Sequence, residues 1–305
     1  MKQFDAATTR QALGFKQLIP ALEQMFLAGC EVPLRHTHVL GDGMTVLIMP
    51  AWQPGRYMGI KTVNIASRNA GLGLPGLFST YQLFDARTGV PLAQMDGNEI
   101  TSRRTAAASV LAASRLARPD SRSLLVVGAG RVGSLLPQAY RAVLPIEQVR
   151  IWDRKPAAAQ ALVERLTADG IAACVAPVLA KAVGESDIVS CATLSTQPLI
   201  MGQWLSAGSH LDLIGSFTPA MRETDDACFA GASVWVDTDE AAAKSGDLLS
   251  PLGRGVLEKS GIRGTLADIS RRTTGRSDRA ERTVFKSVGT ALEDLAAAIL
   301  VYESA

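Results

Sequence analysis

The hexapeptide Gly128-Ala129-Gly130-Arg131-Val132-Gly133 follows the apolar run Leu124 to Val127, and Asp153 stands 20 residues past its last glycine. Strand, glycine turn, helix and then an acid is the order a dinucleotide requires. The first glycine permits a tight turn and the second lets the backbone approach a pyrophosphate. The helix start offers N–H groups to the anion, and the acid accepts the ribose hydroxyls. Gly128, Gly130, Arg131, Val132, Gly133 and Asp153 are therefore candidate cofactor contacts. Arg154 and Lys155 come directly after Asp153. A carboxylate here repels a 2′-phosphate, whereas Arg154 attracts one, so the pattern reads as NAD(H) with NADP(H) as the alternative. Pro137 falls in the stretch expected to be the helix, where a proline costs ~3 kcal/mol unless it lies in the first turn.

Three cations upstream, Arg35, Lys61 and Arg104, form the second set. Lys61 sits in a β-rich run with Tyr57, Gly59 and Val63 on its face, so its ammonium points either into a cavity or to solvent. Arg104 is expected to open an Ala-rich helix over residues 101–117, on which Ala106, Val110, Ala113 and Leu116 share a face. From type and spacing alone all three cations read as surface residues. His36 and His38 alternate on a strand without a third ligand, and Cys30, Cys174, Cys191 and Cys228 form no C-x-x-C, so neither a metal site nor a disulfide framework is indicated. The chain has no G-x-S-x-G, H-E-x-x-H or P-loop motif, which removes the commonest hydrolase and NTPase readings.

The elements that must position these residues fall into two groups. At 305 residues the chain is long enough for two cores. Leu18, Leu22, Met25 and Phe26 predict a helix, residues 44–49 and 57–63 predict strands, and the runs on either side of residues 85–89 predict a hairpin. From Ser121 the pattern becomes strand, turn, helix, with strands expected at SLLVVG, QVRIWD, DIVSCAT, HLDLIG and SVWVDT. The acidic clusters 223–226 and 237–240 flank the last of these and read as loop and capping residues. A final helix, taken to include the run from Thr283 to Asp294, is expected to carry Val288, Leu292, Leu295 and Ile299 on one face. The fold class is thus α/β: a Rossmann dinucleotide-binding domain over 117–283 plus an α+β domain over 1–116 and 284–305. The formal net charge of +2 on a scattered set of basic residues argues against nucleic acid. The absence of an apolar leader or an 18-residue apolar run argues for a cytoplasmic protein with no membrane partner.

Three segments carry a resemblance. Asn98 to Ser109 (NEITSRRTAAAS), the Gly59 to Asn64 strand, and Gly275-Arg-Ser with Thr283 to Asp294 (TVFKSVGTALED) together resemble the ornithine cyclodeaminase and mu-crystallin family over nearly the whole chain. The resemblance implies a homodimer whose first domain supplies substrate and dimer contacts. It also implies that Arg35, Lys61 and Arg104 hold the carboxylate of a small imino or amino acid, with Lys61 and Arg104 as the catalytic pair and Val288 beside the substrate. Thr193, Ser216, Ser287 and Arg154 join the cofactor contacts. Where the family's cyclodeaminases carry an Asp within G-x-D-x-P-G-K, this chain reads Gly215-Ser216-Phe217-Thr218-Pro219. Cyclodeamination moves protons at nitrogen and needs a base. The expected activity is therefore NAD(P)H-dependent reduction of a cyclic ketimine such as Δ1-pyrroline-2-carboxylate to proline. Ornithine cyclodeamination, a catalytically silent binding protein and an alanine dehydrogenase are the alternatives.

Overall fold

A computed structural model describes residues 1–304, and the side chains of all of these but Ser67 and Ala70. The chain divides into two compact units, Met1–Arg104 with Thr290–Ala305, and Thr105–Gly289. The divisions fall inside the long helix and after Gly289, where the sequence placed them at 116/117 and 283/284.

The first unit is built on a six-stranded sheet. Its strands are β1 (Lys2–Phe4), β2 (His36–Gly41), β3 (Met44–Trp52), β4 (Tyr57–Ala66), β5 (Leu77–Asp85) and β6 (Pro91–Asp96), in the order β1-β6-β5-β4-β3-β2. Only the β1–β6 pair is parallel. The expected hairpin is β5–β6, its turn fixed by Asp85, whose Oδ1 accepts from the N–H groups of Arg87 and Thr88. Met49, Lys61, Tyr81 and Met95 lie side by side across β3, β4, β5 and β6, and all are buried. This inner face is covered by the C-terminal helix Ala291–Glu303, on which the helix Phe15–Ala28 packs in turn, ending before Gly29. The alternate rows face outward and are mixed: Trp52, Met58 and Phe84 lie in one, Val46, Asn64 and Phe78 in another, Ile48, Thr62 and Thr80 in a third.

The helix Gly97–Leu116 starts a turn earlier than the sequence suggested, because Asp96 accepts the N–H of Glu99 at its N-terminus. Arg104 therefore sits two turns in rather than at its opening.

The second unit holds eight parallel strands: β7 (Ser123–Val127), β8 (Gln148–Trp152), β9 (Ala173–Val175), β10 (Ile188–Cys191), β11 (His210–Leu213), β12 (Ser233–Val236), β13 (Ile262–Thr265) and β14 (Thr283–Lys286). Their order is β13-β12-β14-β11-β10-β7-β8-β9. All five expected strands are present. The segment Thr283–Lys286, read as part of the terminal helix, is instead the strand between β11 and β12, and Val288 lies outside the helix. The central strands β7, β10, β11, β12 and β14 are buried on both faces, as parallel sheets require, with Val127, Val189, Leu211, Val234 and Val284 in one core. From β7 the chain runs outward to β8 and β9, then returns to β10 on the other side of β7. That reversal makes a topological switch point, the place where an open α/β sheet binds its ligand beyond the strand ends.

Candidate active site

The glycine turn leaves β7 at this switch point. Gly128 has φ of 103°, a conformation that disfavours a side chain, and a Cβ there would stand 2.7 Å from the Ala192 carbonyl in the loop after β10. A Cβ on Gly133 would collide with the Gly128 carbonyl, whereas around Gly130 there is open space. The chain thus packs tightly at the first and third glycines and keeps room at the second, where a pyrophosphate approaches. The chain leaves the turn through a single 3-10 turn, Gly133–Leu135, and the α-helix begins only at Leu136. Pro137 accordingly lies in the first turn, where its missing N–H removes no helix bond.

Asp153, one residue beyond β8, ties this turn down. Its Oδ2 accepts the Ala129 N–H at 2.8 Å and its Oδ1 the Lys155 N–H at 2.8 Å. The carboxylate is half-buried, whereas Arg131, Arg154 and Lys155 are exposed. These residues fit a dinucleotide: a glycine cradle with space at Gly130, and a positioned carboxylate at the next strand end. Asp153→Asn leaves one acceptor oxygen for the two N–H groups of Ala129 and Lys155 and removes the charge that opposes a 2′-phosphate. The affinity ratio of NADPH to NADH, from fluorescence titration, is expected to rise at least tenfold in this variant. A wild type that already prefers NADPH by more than tenfold contradicts the assignment.

Of the other cofactor candidates, Thr193 follows β10 and Ser216 follows β11. The Ser216 hydroxyl is fully buried and donates to the Met221 carbonyl at 2.6 Å beside Ser245, so this side chain is committed to the fold. Ser287 is buried, its N–H donating to Leu213 O. The N–H groups of Val288 and Gly289 are both held by Asp237 Oδ2, at 2.7 and 2.6 Å. Phe217 is 43% exposed. Three carboxylates close to it in sequence all accept hydrogen bonds within this unit. Asp212 accepts from Tyr140 and Ser190, Glu223 from Thr193 and Gly215, and Asp225 from Gly202 and Cys228.

In the first unit, Lys61 and Arg104 meet across one carboxylate. Lys61 Nζ lies 2.5 Å from Asp294 Oδ2, and Arg104 Nε donates to Asp294 Oδ1 at 2.9 Å. Arg104 Nη1 donates to Glu293 Oε2 at 2.5 Å. Lys61 is 1% and Arg104 6% exposed, so these are not the surface cations their types suggested. Both acids lie in the first turn of the terminal helix, where the helix dipole favours negative charge. Burial pushes the Lys61 ammonium down to about 8; Asp294 works against that push, and the charges of Arg104 and Arg35 add to it. Burial also opposes ionisation of Asp294, but Lys61 and Arg104 outweigh it and hold the carboxyl below its usual range. Lys61 and Arg104 thus share Asp294, Arg104 reaches Glu293 as well, and the charge of Arg35 is felt at Lys61. Glu293 and Asp294 were legible only as part of a motif; nothing in their spacing announced them as counter-ions.

Among the described residues, no group of three His, Cys, Asp or Glu side chains could hold a metal ion. His36 and His38 are exposed on β2.

A dinucleotide cradle on a doubly wound sheet, with a buried cation cluster on a separate α+β unit, defines a nicotinamide-dependent oxidoreductase of small carboxylates. The chain matches the profile of the ornithine cyclodeaminase/mu-crystallin family over residues 12–305 and belongs to that family. It is 45% identical over 256 residues to a Δ(1)-pyrroline-2-carboxylate reductase of Paracoccus denitrificans, covering 82% of this chain and 80% of the relative. Among solved structures it resembles Thermococcus litoralis Δ(1)-pyrroline-2-carboxylate reductase in complex with NADH and L-proline, with a TM-score of 0.94 and 31% identity over 99% of this chain and 97% of that one. It also resembles an archaeal alanine dehydrogenase dimer with bound NAD, with a TM-score of 0.92 and 29% identity over 99% of this chain and 95% of that one.

Proposed function

We propose that the protein reduces a cyclic ketimine amino acid such as Δ1-pyrroline-2-carboxylate to the saturated amino acid, here proline, with NADH as reductant. The observation that carries this reading is the pair of buried cations, Lys61 and Arg104, brought together at Asp294. An α-imino acid has one obligatory handle, its carboxylate, and convergent buried cations fix that handle and orient the α carbon. Arg35 supplies the third cation. The glycine turn and Asp153 hold the dinucleotide, which when bound supplies the hydride. Lys61 Nζ carries its proton at neutral pH and keeps the positive charge that matches the substrate carboxylate. Val288, Ser287 and Thr193 are assigned to the nicotinamide and substrate region, and residues 215–221 around Phe217 include no titratable side chain.

A protonated imine needs only hydride and a proton already in place, so a site without an acid at position 217 suffices. Cyclodeamination requires more, and Asp212, Glu223 and Asp225 are each bound into the fold elsewhere. Incubation with L-ornithine and catalytic NAD+ is expected to release no ammonia. Stoichiometric ammonia and proline would overturn the reductase reading in favour of the lyase. In Phe217→Asp, the new carboxylate is expected to add an acidic limb to the pH profile of imine reduction that the wild type lacks. An identical profile for the two proteins would show that position 217 does not face the reacting nitrogen.

The working unit is proposed to be a homodimer. Support comes from the row Trp52, Met58 and Phe84 on the outward face of the six-stranded sheet, and from the exposed edge β2 with Val39 and Leu40 at its tip. A cytoplasmic setting is proposed as well. Among the described residues all four cysteines are free, and no helix is long and apolar enough to cross a membrane.

A further inference from the structure

Glu223 lies in the chain segment after β11, and its side chain is fully buried. Its Oε1 accepts the Thr193 N–H at 2.7 Å and the Thr193 hydroxyl at 2.8 Å, while its Oε2 accepts the Gly215 N–H at 2.7 Å. One carboxylate therefore joins the loops that leave β10 and β11 at their C-terminal ends. The join is close: a Cβ on Gly215 would collide with both the Thr193 carbonyl and Glu223. Thr193 in turn carries the contact onward, since a Cβ on Gly128 would meet its Cγ2 at 3.0 Å. The backbone of Glu223 is itself anchored, because Asp247 Oδ1 accepts the N–H groups of Glu223 and Thr224 and the Thr224 hydroxyl. Lys286 of β14 lies 3.9 Å from the other oxygen of Asp247 and donates to Leu213 O. The two loops so held carry apolar side chains into solvent, Leu194 at 76% exposure and Phe217 at 43%.

A buried carboxylate is costly to keep, and a fold needing only cohesion at this place would do as well with an apolar residue. Here its three acceptor bonds all go to the two loops that border the glycine turn at the switch point. We infer that Glu223 is a positioning residue for dinucleotide binding, setting the Thr193 and Gly215 loops against the Gly128 turn without itself touching the ligand. The inference rests on the NADH reading above and adds a residue to it.

The natural comparison is Asp187, a carboxylate that accepts the N–H groups of Arg122 and Ser123 and the Ser123 hydroxyl at the opposite ends of the strands. Both Glu223→Gln and Asp187→Asn replace a backbone-tethering carboxylate by an amide, so both are expected to lower the melting midpoint. NADH affinity of the folded proteins, by fluorescence titration well below that midpoint, separates them. Glu223→Gln is expected to bind NADH at least tenfold more weakly than wild type, and Asp187→Asn within twofold of it. Should Glu223→Gln not fold, Glu223→Asp keeps the charge near Asp247 and Lys286 but withdraws the carboxylate from both loops, and the same tenfold loss is expected. A variant at position 223 binding within twofold of wild type, or losing no more affinity than Asp187→Asn, overturns the inference. If the wild type binds no NADH, the reading of the site falls and this inference with it.

Discussion

Arg104→Ala is expected to lose both activity and stability. The guanidinium is the partner of Glu293 and shares Asp294 with Lys61, at 2.5 and 2.9 Å, in a place with almost no solvent. Its removal leaves Lys61 beside Asp294 and takes from buried Glu293 the guanidinium that donates to it. Breaking a buried charge cluster on one side costs about 3 to 5 kcal/mol, which in a chain of this size lowers the melting midpoint by on the order of 10 °C. Burial alone would weaken the Arg104 charge, but Asp294 and Glu293 more than reverse that, so Arg104 stays ionised at any working pH. The loss of imine reduction is therefore expected at every pH, with NADH affinity changed far less. An Arg104→Ala protein that melts within 2 or 3 °C of wild type, below the shift this magnitude implies, contradicts the geometry.

Lys61→Met keeps the volume and removes the charge. Truncating one side of a desolvated pair costs about 2 to 5 kcal/mol, so kcat/KM for the imine is expected to fall roughly thirtyfold or more. Stability responds less than in Arg104→Ala, because Asp294 keeps its bond from Arg104. The wild-type pH profile carries the same information. Lys61 has been brought from the ordinary lysine value of 10.5 to about 8 by burial, so its positive charge is complete well below pH 8 and lost above it. The sign follows: kcat/KM falls as pH rises through about 8, and Lys61→Met lacks that alkaline limb. The same shift means that the folded protein releases this proton before the unfolded chain does. Between pH 8 and 10.5 this group alone therefore makes folding more favourable as pH rises. Lost activity there is thus not explained by unfolding at this site. An efficiency within twofold of wild type for Lys61→Met would remove the carboxylate clamp from the account.

How much of this was legible beforehand depended on the range of the interaction. The glycine turn, Asp153 and the strands at 123–127, 148–152 and 188–191 are local features with their own sequence pattern, and they stand where the pattern put them. Thr283–Lys286 was misread because a short apolar run does not distinguish strand from helix by periodicity; its place between β11 and β12 is decided by tertiary pairing. The three-residue β9, half-exposed, and β13, interrupted by Gly264, gave no run long enough to read. The burial of Lys61 and Arg104 was invisible for another reason. Asp294 is 190 residues from Arg104 in sequence, and only the return of the terminal helix to the first unit brings them together. Glu223 and Asp237 looked like loop acids because their partners are, apart from the Thr193 hydroxyl, backbone N–H groups, which carry no residue-type signal. Pro137 posed a conflict that one 3-10 turn resolves.

The central claim is reduction of a ring C=N bond beside a carboxylate, and the most direct test supplies purified protein with Δ1-pyrroline-2-carboxylate and NADH while following nicotinamide absorbance and proline together. The account predicts loss of one NADH for each proline formed, with no ammonia released and with saturation by the imine. Tight NADH binding without absorbance loss on this or any other cyclic ketimine would contradict it.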